Sequence, residues 1–259
     1  MSTDRRRMAR IMAILLSIAC IMPIAYLLLL SLAGRWPYPA LLPARLTGVP
    51  WGKIFSGESA MGSSLLISTL LSGTVALLAT SIGFLASRYV AYHRRRRALM
   101  FLAYLPFAMS PVILGACIHF LAIKAGLAGT AAGVICAQLI FALGFGMIFF
   151  ASFWNDERRS LAEIATALGG SGLQVYRRVL LPAAREMLLI CFLQTFLFSW
   201  FQYGITLLVG AGKVRTLPML VFIYIGEANI AYAATSGMLL ILPPVLMLWA
   251  NKRFLYRYI

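Results

Sequence analysis

Acidic residues are scarce in this chain. Its 259 residues include seven Asp and Glu against 23 Lys and Arg, while 62% are hydrophobic. A soluble domain of this size could not bury so much apolar surface, so composition predicts an integral membrane protein. None of the seven acids falls inside the six long apolar runs described below. This disfavours an ion-coupled secondary transporter, which is expected to carry an intramembrane carboxylate or matched broken helices.

Residues that usually carry catalysis or bind metals are also few. The chain has two histidines, His93 and His119, and no recognisable nucleophile–base pair, which disfavours a membrane enzyme. Its four cysteines lie inside apolar runs without C-x-x-C spacing, so we interpret them as small apolar residues. The phosphate-binding pattern G-x4-G-K-[ST] is absent, so the chain itself is not expected to hydrolyse ATP. We therefore expect no metal and no cofactor bound by this chain.

Six hydrophobic runs are long enough to cross a membrane, and backbone groups in lipid must be satisfied internally, so each predicts a helix. The first run, 11–33, is longer than the apolar core of a signal peptide, which has about 7–15 residues, and it is predicted to be an uncleaved span. Trp36 and Tyr38 follow it as expected interfacial anchors. Pro243 and Pro244 predict a kink in the sixth run. The runs are 11–33, 63–87, 98–122, 130–153, 187–209 and 235–251.

The distribution of Lys and Arg predicts the orientation. With six spans, the two termini share a side with the second and fourth loops, and these four segments hold 17 of the 23 basic residues. Basic residues favour the cytoplasmic side, so both termini are predicted to be cytoplasmic. The run "HRRRR" at 93–97 then becomes a cytoplasmic turn beside anionic membrane lipid. It lacks interleaved aromatics and a folded basic domain, which disfavours a nucleic-acid partner.

The fourth loop, 155–182, contains a mildly amphipathic stretch between two spans. Ser160 with Glu163, and Ser171 with Gln174, each fit the capping-box pattern that begins a helix. The pair of glycines after Leu168 predicts a corner between the two helices. Such a hairpin either lies on the lipid surface or docks into a groove of a soluble partner, and the physical pattern alone leaves both open.

A specific spacing in this loop resembles a known family. The sequence Glu163-Ile164-Ala165-x3-Gly169-x9-Val179-x-Leu181-Pro182 is similar to the pattern E-A-A-x3-G-x9-I-x-L-P in the permease subunits of binding-protein-dependent ABC importers. Segments 104–115, 126–149 and 196–220 look like the same family. Gly144 is a departure, because many relatives have proline there, and we expect a straighter fourth helix.

The resemblance implies an architecture and a set of partners. The expected fold is the type I ABC importer permease fold, an all-α integral membrane domain formed by residues 1–259 in a bacterial cytoplasmic (inner) membrane. The expected partners are a dimer of ATPase subunits holding ATP and Mg, a second permease that is homologous but non-identical, and a periplasmic or lipid-anchored solute-binding protein.

The resemblance also implies roles for residues of the loop. Glu163 would pair with a basic group of the ATPase, and Gly169 would allow the tight corner. Apolar side chains of the first helix would fill a groove on the ATPase. The residues assigned to coupling are Leu161, Glu163, Ile164, Ala165, Leu168, Gly169 and Pro182.

Polar residues inside the spans are candidates for the translocation path. At about 100° per residue, Gln194, Ser199 and Gln202 can share one broad helical face. For each candidate, the alternative is a hydrogen bond that joins helices of the bundle. The candidates assigned to the path are His119, Gln138, Ser199, Trp200, Gln202 and Tyr203.

The substrate is the least determined feature. Segments 31–43 and 206–220 look similar to permeases for polyamines, thiamine and iron. Phe201 and Gln202 stand where many polyamine-type relatives have acidic residues. Their absence weighs against a polyamine, because a site for several positive charges needs carboxylates, and a mostly neutral, aromatic path suits a singly charged or aromatic organic solute better. The expected substrate is a small organic cation such as thiamine or a polyamine, with iron or a phosphonate-type anion as the alternative.

Overall fold

A computed structural model describes residues 2–35, 43, 45–56 and 59–255, so Trp36 and Tyr38 lie outside the described residues. The described chain is predominantly helical, which confirms the predicted fold class, with one short antiparallel strand pair in addition. The strands are β1 (Ala33–Arg35) and β2 (Arg45–Leu46). The helices before the fourth loop are α1 (Ser2–Ser31), α2 (Val49–Phe55), α3 (Ala60–Ala91), α4 (Arg96–Ala108), α5 (Pro111–Lys124) and α6 (Ala131–Phe150). The later helices are α7 (Asp156–Ala167), α8 (Gly172–Val175), α9 (Leu181–Trp200), α10 (Gly204–Gly210), α11 (Leu217–Gly226) and α12 (Ile230–Leu255).

Among the described residues, five helices are long and apolar enough to cross a membrane, and one bent pair would supply a sixth. The bent pair is the predicted third span, whose halves α4 and α5 differ in direction by 100°. The break falls at Met109 and Ser110, both in extended conformation. Because a residue that precedes proline is disfavoured in the α region, Ser110 before Pro111 ends the first half.

Two other predicted boundaries were wrong. The fifth span, predicted over 187–209, ends at Trp200, and α10 follows after a three-residue break. Helical structure on its N-terminal side is continuous back to Gly172. The segment between the predicted fifth and sixth spans contains the ten-residue apolar helix α11. In the sixth span, α12 continues through Pro243 and Pro244.

The chain divides into two compact units, and the first comprises residues 1–66 and 216–259. In this unit, α1 and α11 both pack against α12. Ser31 joins three elements, since its carbonyl accepts a hydrogen bond from Thr235 Oγ1 at 3.3 Å and its hydroxyl accepts one from Trp51 Nε1 at 3.2 Å. Ser31 and Thr235 are fully buried, so these bonds satisfy polar groups in an apolar setting.

The second unit, 67–215, is built around α6, which packs against α4, α9 and α10. Its core consists mainly of small and branched apolar side chains from α3, α5, α6 and α10. Val75, Val134, Ala142 and Val209 are all fully buried in it. This unit also contains the fourth loop and every candidate residue for the coupling and the path.

Glycines allow close helix approach in the second unit. A Cβ on Gly144 would lie 2.7 Å from the carbonyl oxygen of Ala103, and one on Gly146 would lie 3.0 Å from that of Ala79. Small residues let backbones approach in this way in membrane proteins. As expected without proline, α6 runs unbroken through Gly144, and the structure adds a packing reason for glycine at this position.

Candidate functional site

The first helix of the fourth loop begins earlier than predicted. The N-cap of α7 is Asn155, whose side-chain oxygen accepts a hydrogen bond from the Arg158 backbone N–H at 2.9 Å. The predicted capping box at Ser160 and Glu163 was wrong, because Ser160 lies inside the helix. Glu163 instead accepts a hydrogen bond from Arg159 Nε at 2.9 Å, one turn before it. Both side chains are more than half exposed, so this pair contributes about 0.5 kcal/mol.

One face of α7 is apolar and uncovered within the described residues. Leu161, Ile164 and Leu168 are 39%, 58% and 84% exposed. They recur at helical spacing and form a continuous stripe. Ala162 and Ala165 of the same helix are half-buried and pack against a cluster of buried aromatic side chains. The helix is therefore held on the protein from one side and presents large apolar side chains on another.

A Schellman motif ends α7. The N–H groups of Gly169 and Gly170 donate to the carbonyls of Thr166 and Ala165, at 2.9 and 3.1 Å. Gly169 has φ +86°, a conformation that favours glycine. A Cβ on Gly170 would lie 2.7 Å from the Ala165 oxygen. The two glycines are thus required for different reasons, one for backbone conformation and the other for space.

Alanine substitutions at the corner test this difference. We expect Gly169→Ala to cost about 1–2 kcal/mol, because a side chain is strained in the left-handed region. We expect Gly170→Ala to cost more, since its Cβ forces the corner apart. Gly172→Ala is the matched control, because Gly172 begins α8 and a Cβ there would meet no neighbour within 4 Å. Limited proteolysis of the loop in membranes measures how far each substitution loosens the corner. Equal protection of all three variants would contradict the prediction.

The second capping box is confirmed. Ser171 N–H donates to Gln174 Oε1 at 2.9 Å, and Gln174 N–H donates to Ser171 Oγ at 3.4 Å. However, α8 is not a separate short helix. It continues through a π turn, Tyr176–Leu180, directly into α9, with Pro182 in the first turn of α9. Proline lacks an N–H, and a wider turn just before it accommodates the lost hydrogen bond.

An aromatic cluster that the sequence interpretation missed anchors the loop. The ring of Phe84 lies 4.9–5.7 Å from those of Phe150, Phe153 and Trp154, and all four rings are buried. Trp154 Nε1 donates to the buried Ser87 hydroxyl at 2.8 Å. Val175 and Leu180 pack on the same cluster. The available signal was the Phe-Trp pair at the end of an apolar run, just before charged sequence.

Two predicted path residues lie in a buried hydrogen-bond network. Ser199 Oγ donates to Gln138 Oε1 at 2.5 Å, and Gln138 Nε2 donates to Thr206 Oγ1 at 3.0 Å. Thr206 in turn donates to the carbonyl of Gln202 at 2.9 Å. Gln138 and Thr206 are fully buried. The network therefore joins α6, α9 and α10, which favours the helix-joining interpretation for Gln138 and Ser199.

The remaining path candidates are dispersed. Trp200 is 1% exposed and stacks on Phe196, with centroids 5.6 Å apart. Gln202 and Tyr203 lie half-buried in the break after α9, so the predicted shared face with Gln194 was wrong. His119 lies on α5, and its Nδ1 is buried without a hydrogen-bond partner in the described part of the chain. The assignment of these residues to a path stays a prediction.

The alternative roles of Gln138 can be separated experimentally. If Gln138 joins helices, Gln138→Leu lowers the stability of the protein by about 1 kcal/mol and leaves the apparent KM for transported solute unchanged. Gln194→Leu is the control, because Gln194 is exposed on α9. Thermal unfolding in detergent and uptake kinetics measure the two effects. A large rise in KM with normal stability would instead assign Gln138 to the path.

Known proteins resemble this chain at the level of sequence and fold. The family described as "Binding-protein-dependent transport system inner membrane component" matches residues 79–254, more than half of the chain. The chain is 27% identical over 194 residues to the inner membrane ABC transporter permease protein YnjC of Escherichia coli strain K12. That alignment covers 74% of this chain and 37% of YnjC, so the chain spans well under half the length of this relative.

Two solved structures have a similar fold. One is a bacterial ABC transporter involved in the import of the acidic polysaccharide alginate, with a TM-score of 0.71, 16% identity and coverage of 98% of both chains. The other is a bacterial alginate ABC transporter in complex with an alginate pentasaccharide-bound periplasmic protein. Its TM-score is 0.67, with 16% identity and coverage of 96% of this chain and 95% of that one.

Proposed function

The chain belongs to the family of binding-protein-dependent transport system inner membrane components, and from this we propose that it is one permease subunit of an ATP-driven importer. It is a multi-pass inner membrane protein of the ABC transporter permease type. In the proposed assembly, an extracytoplasmic binding protein delivers a solute, two permease chains form its path, and two ATPase subunits drive transport. ATP and Mg are held by the ATPase subunits.

The observation that carries this proposal is the uncovered apolar stripe of α7. Three large side chains at 161, 164 and 168 are exposed on a helix whose two ends are capped and whose other side rests on the protein. An amphipathic helix of this kind suits docking into a hydrophobic groove. We assign the groove to the ATPase subunit. The predicted cytoplasmic location of 155–182, supported by the 17 basic residues on that side, brings the stripe within reach.

The attachment of α7 suits the transmission of movement. Beyond the corner, helical structure runs from Gly172 to Trp200 without interruption, and α7 rests on the ends of other apolar helices through the aromatic cluster. A rigid element can convert closure of the ATPase dimer into rearrangement of packed helices. The side chain of Glu163 is 65% exposed and is paired with Arg159. On docking, Glu163 would release Arg159 and pair with a basic group of the ATPase.

For the substrate, we propose a small organic cation such as thiamine or a polyamine, with iron or a phosphonate-type anion as the alternative. The lack of acidic residues in the apolar runs favours a solute with a single positive charge, and therefore thiamine over a polyamine, which carries several charges. Since Trp200 is buried and stacked, Tyr203 is the better candidate for an aromatic contact with a cation. Thermal-shift screening of the cognate binding protein with these solutes tests the class; stabilisation by none of them would reject it.

The proposed function is tested by purification of the tagged chain from its native host. We expect an ATPase subunit and a second permease to co-purify, and the complex reconstituted in vesicles to import solute when ATP is supplied with binding protein. The chain expressed alone is expected to hydrolyse no ATP. Uptake driven by an ion gradient without any ATPase subunit would reject the proposal in favour of a secondary transporter.

A further inference from the structure

A basic cleft lies on the side of α7 opposite the apolar stripe. Its volume is about 550 Å³, and its lining comes from the end of α3, the segment after α6, and the two helical arms of the fourth loop. At about 100° per residue, Ala162 and Thr166 of the lining point away from Ile164 and Leu168. A ligand in the cleft and a protein on the stripe could therefore be bound together.

The charged groups of the cleft are three arginines and one acid, Arg88, Arg158, Arg159 and Glu163. Arg159 is paired with Glu163. Within the described residues, the guanidinium groups of Arg88 and Arg158 form no salt bridge and donate no hydrogen bond. The cleft therefore carries an excess of two positive charges and two planar sets of N–H donors, which suit the oxygens of a phosphate group.

Aromatic rings fix the positions of the guanidinium groups. Arg88 lies over Trp154 with 5.9 Å from Cζ to the ring centroid, and Arg159 lies over Tyr92 at 5.7 Å. Arg158 lies over Phe153 at 5.4 Å. Stacking holds the side chains in place and leaves the guanidinium edges available for hydrogen bonds. Their arrangement is thus largely formed before any ligand binds.

Tyr92 supplies a neutral donor beside the arginines. Burial raises the pKa of the Tyr92 hydroxyl above its usual value, although Arg88 and Arg159 oppose the rise. Asp156 and Glu163 act in the same direction as burial. The hydroxyl therefore stays protonated at neutral pH and can donate to an anion without adding negative charge.

The position of the cleft indicates the source of the phosphate. Two long apolar helices, α3 and α6, end beside it at Ala91 and Phe150, and α9 begins beside it at Leu181 after the π turn. Helix ends of this kind lie near the boundary of the hydrocarbon core, where lipid phosphates are found and where Trp and Tyr concentrate. The floor includes the buried side chains of Val175 and Leu180, which suit the apolar part of a lipid.

We propose that this cleft binds one phosphate group, carried by the headgroup of an anionic membrane lipid. The bound lipid bridges α7 to the end of α3 through Arg158 and Arg88, and so holds the loop against the membrane domain. The same chemistry could be supplied by free phosphate, and the experiment includes both sources. The inference does not depend on the proposed docking of the apolar stripe.

The test is a titration of the purified complex in detergent with short-chain phosphatidylglycerol, short-chain phosphatidylcholine and inorganic phosphate. We expect phosphatidylglycerol to raise the unfolding temperature and to appear as a retained lipid in native mass spectra. In the double variant Arg88→Gln/Arg158→Gln, its apparent affinity is expected to fall at least about tenfold, because two charge-assisted contacts are lost. Arg177→Gln/Arg178→Gln removes the same charge from exposed positions outside the cleft and should change affinity by less than about twofold.

A second variant separates the cleft from general surface charge. Thr166→Trp places a large side chain at the mouth of the cleft and leaves every charge in place, and we expect the same loss of affinity. If inorganic phosphate stabilises the complex through the same residues and phosphatidylglycerol does not, the site takes a free anion. Equal responses of the cleft and control variants, or no response to either source of phosphate, would overturn the proposal.

Discussion

Replacing Ile164 and Leu168 together by aspartate is expected to reduce uptake at least about a hundredfold, because the change removes two apolar contacts and places charges against an apolar groove. The two side chains are 58% and 84% exposed, so the isolated chain loses little packing. Substitutions at such surface positions usually change stability by less than about 0.5 kcal/mol. We therefore expect normal insertion of the variant into the membrane, and loss of the ATPase subunit when the complex is purified.

Leu173→Asp provides the matched control for this prediction. Leu173 is 61% exposed on α8, beyond the glycine corner, and the substitution introduces the same kind of charge into the same loop. Uptake and ATPase recovery should stay close to those of the unchanged protein. The prediction also separates the two interpretations of the hairpin. If the stripe merely rests on lipid, the Ile164→Asp/Leu168→Asp variant keeps its ATPase subunit and the coupling role is rejected.

Hydrophobic length predicted most of the long apolar helices, because the apolar runs are long and carry almost no charge. It failed where backbone geometry interrupts an apolar run. Ser110-Pro111 breaks the third run, and the rule that the residue before proline leaves the helix could have found this. The break after Trp200 has no comparable signal, since Gly204 begins the next helix and the three residues of the break, 201–203, include neither proline nor glycine.

The two capping boxes show how far a local pattern can be used. Ser171 and Gln174 follow a two-glycine corner, so no earlier residue competes for the start of the helix, and the prediction was confirmed. Ser160 and Glu163 fit the same pattern and were wrong. Asn155 caps the helix one turn earlier, and Asp156 and Glu157 in the first turn favour that start through the helix dipole.

The basic cleft and the aromatic cluster were beyond sequence interpretation because both depend on contacts between distant segments. Arg88 and Arg158 are 70 positions apart, and nothing in either neighbourhood marks them as partners. The buried network of Gln138 likewise joins residues more than 60 positions away. Polar residues in apolar runs identify candidates for function or for packing, and the burial of each candidate decides between the two.

Trp154→Ala is expected to uncouple ATP hydrolysis from uptake. The indole lies between Phe84 of α3 and Phe153, with centroids 4.9 Å from each, and its N–H is bonded to Ser87. Removing a fully packed Trp costs about 3–5 kcal/mol, and most of that loss here falls on the contact between the loop and the helix ends. The apolar stripe of α7 is untouched, so the ATPase subunit should still bind.

The expected result is a complex of normal composition in which uptake falls at least about tenfold while ATP hydrolysis continues, since movement of α7 no longer reaches the membrane helices. The measurement is the number of ATP molecules hydrolysed per solute imported in reconstituted vesicles. Trp154→Phe keeps most of the packing, and Ser87→Ala removes only a hydroxyl, with its bonds to Trp154 Nε1 and to the Phe84 carbonyl. Each should cost about 1–2 kcal/mol and preserve coupling. An unchanged ratio in Trp154→Ala would show that the aromatic cluster stabilises the loop without transmitting its movement, and transmission would then have to pass through the π turn into α9.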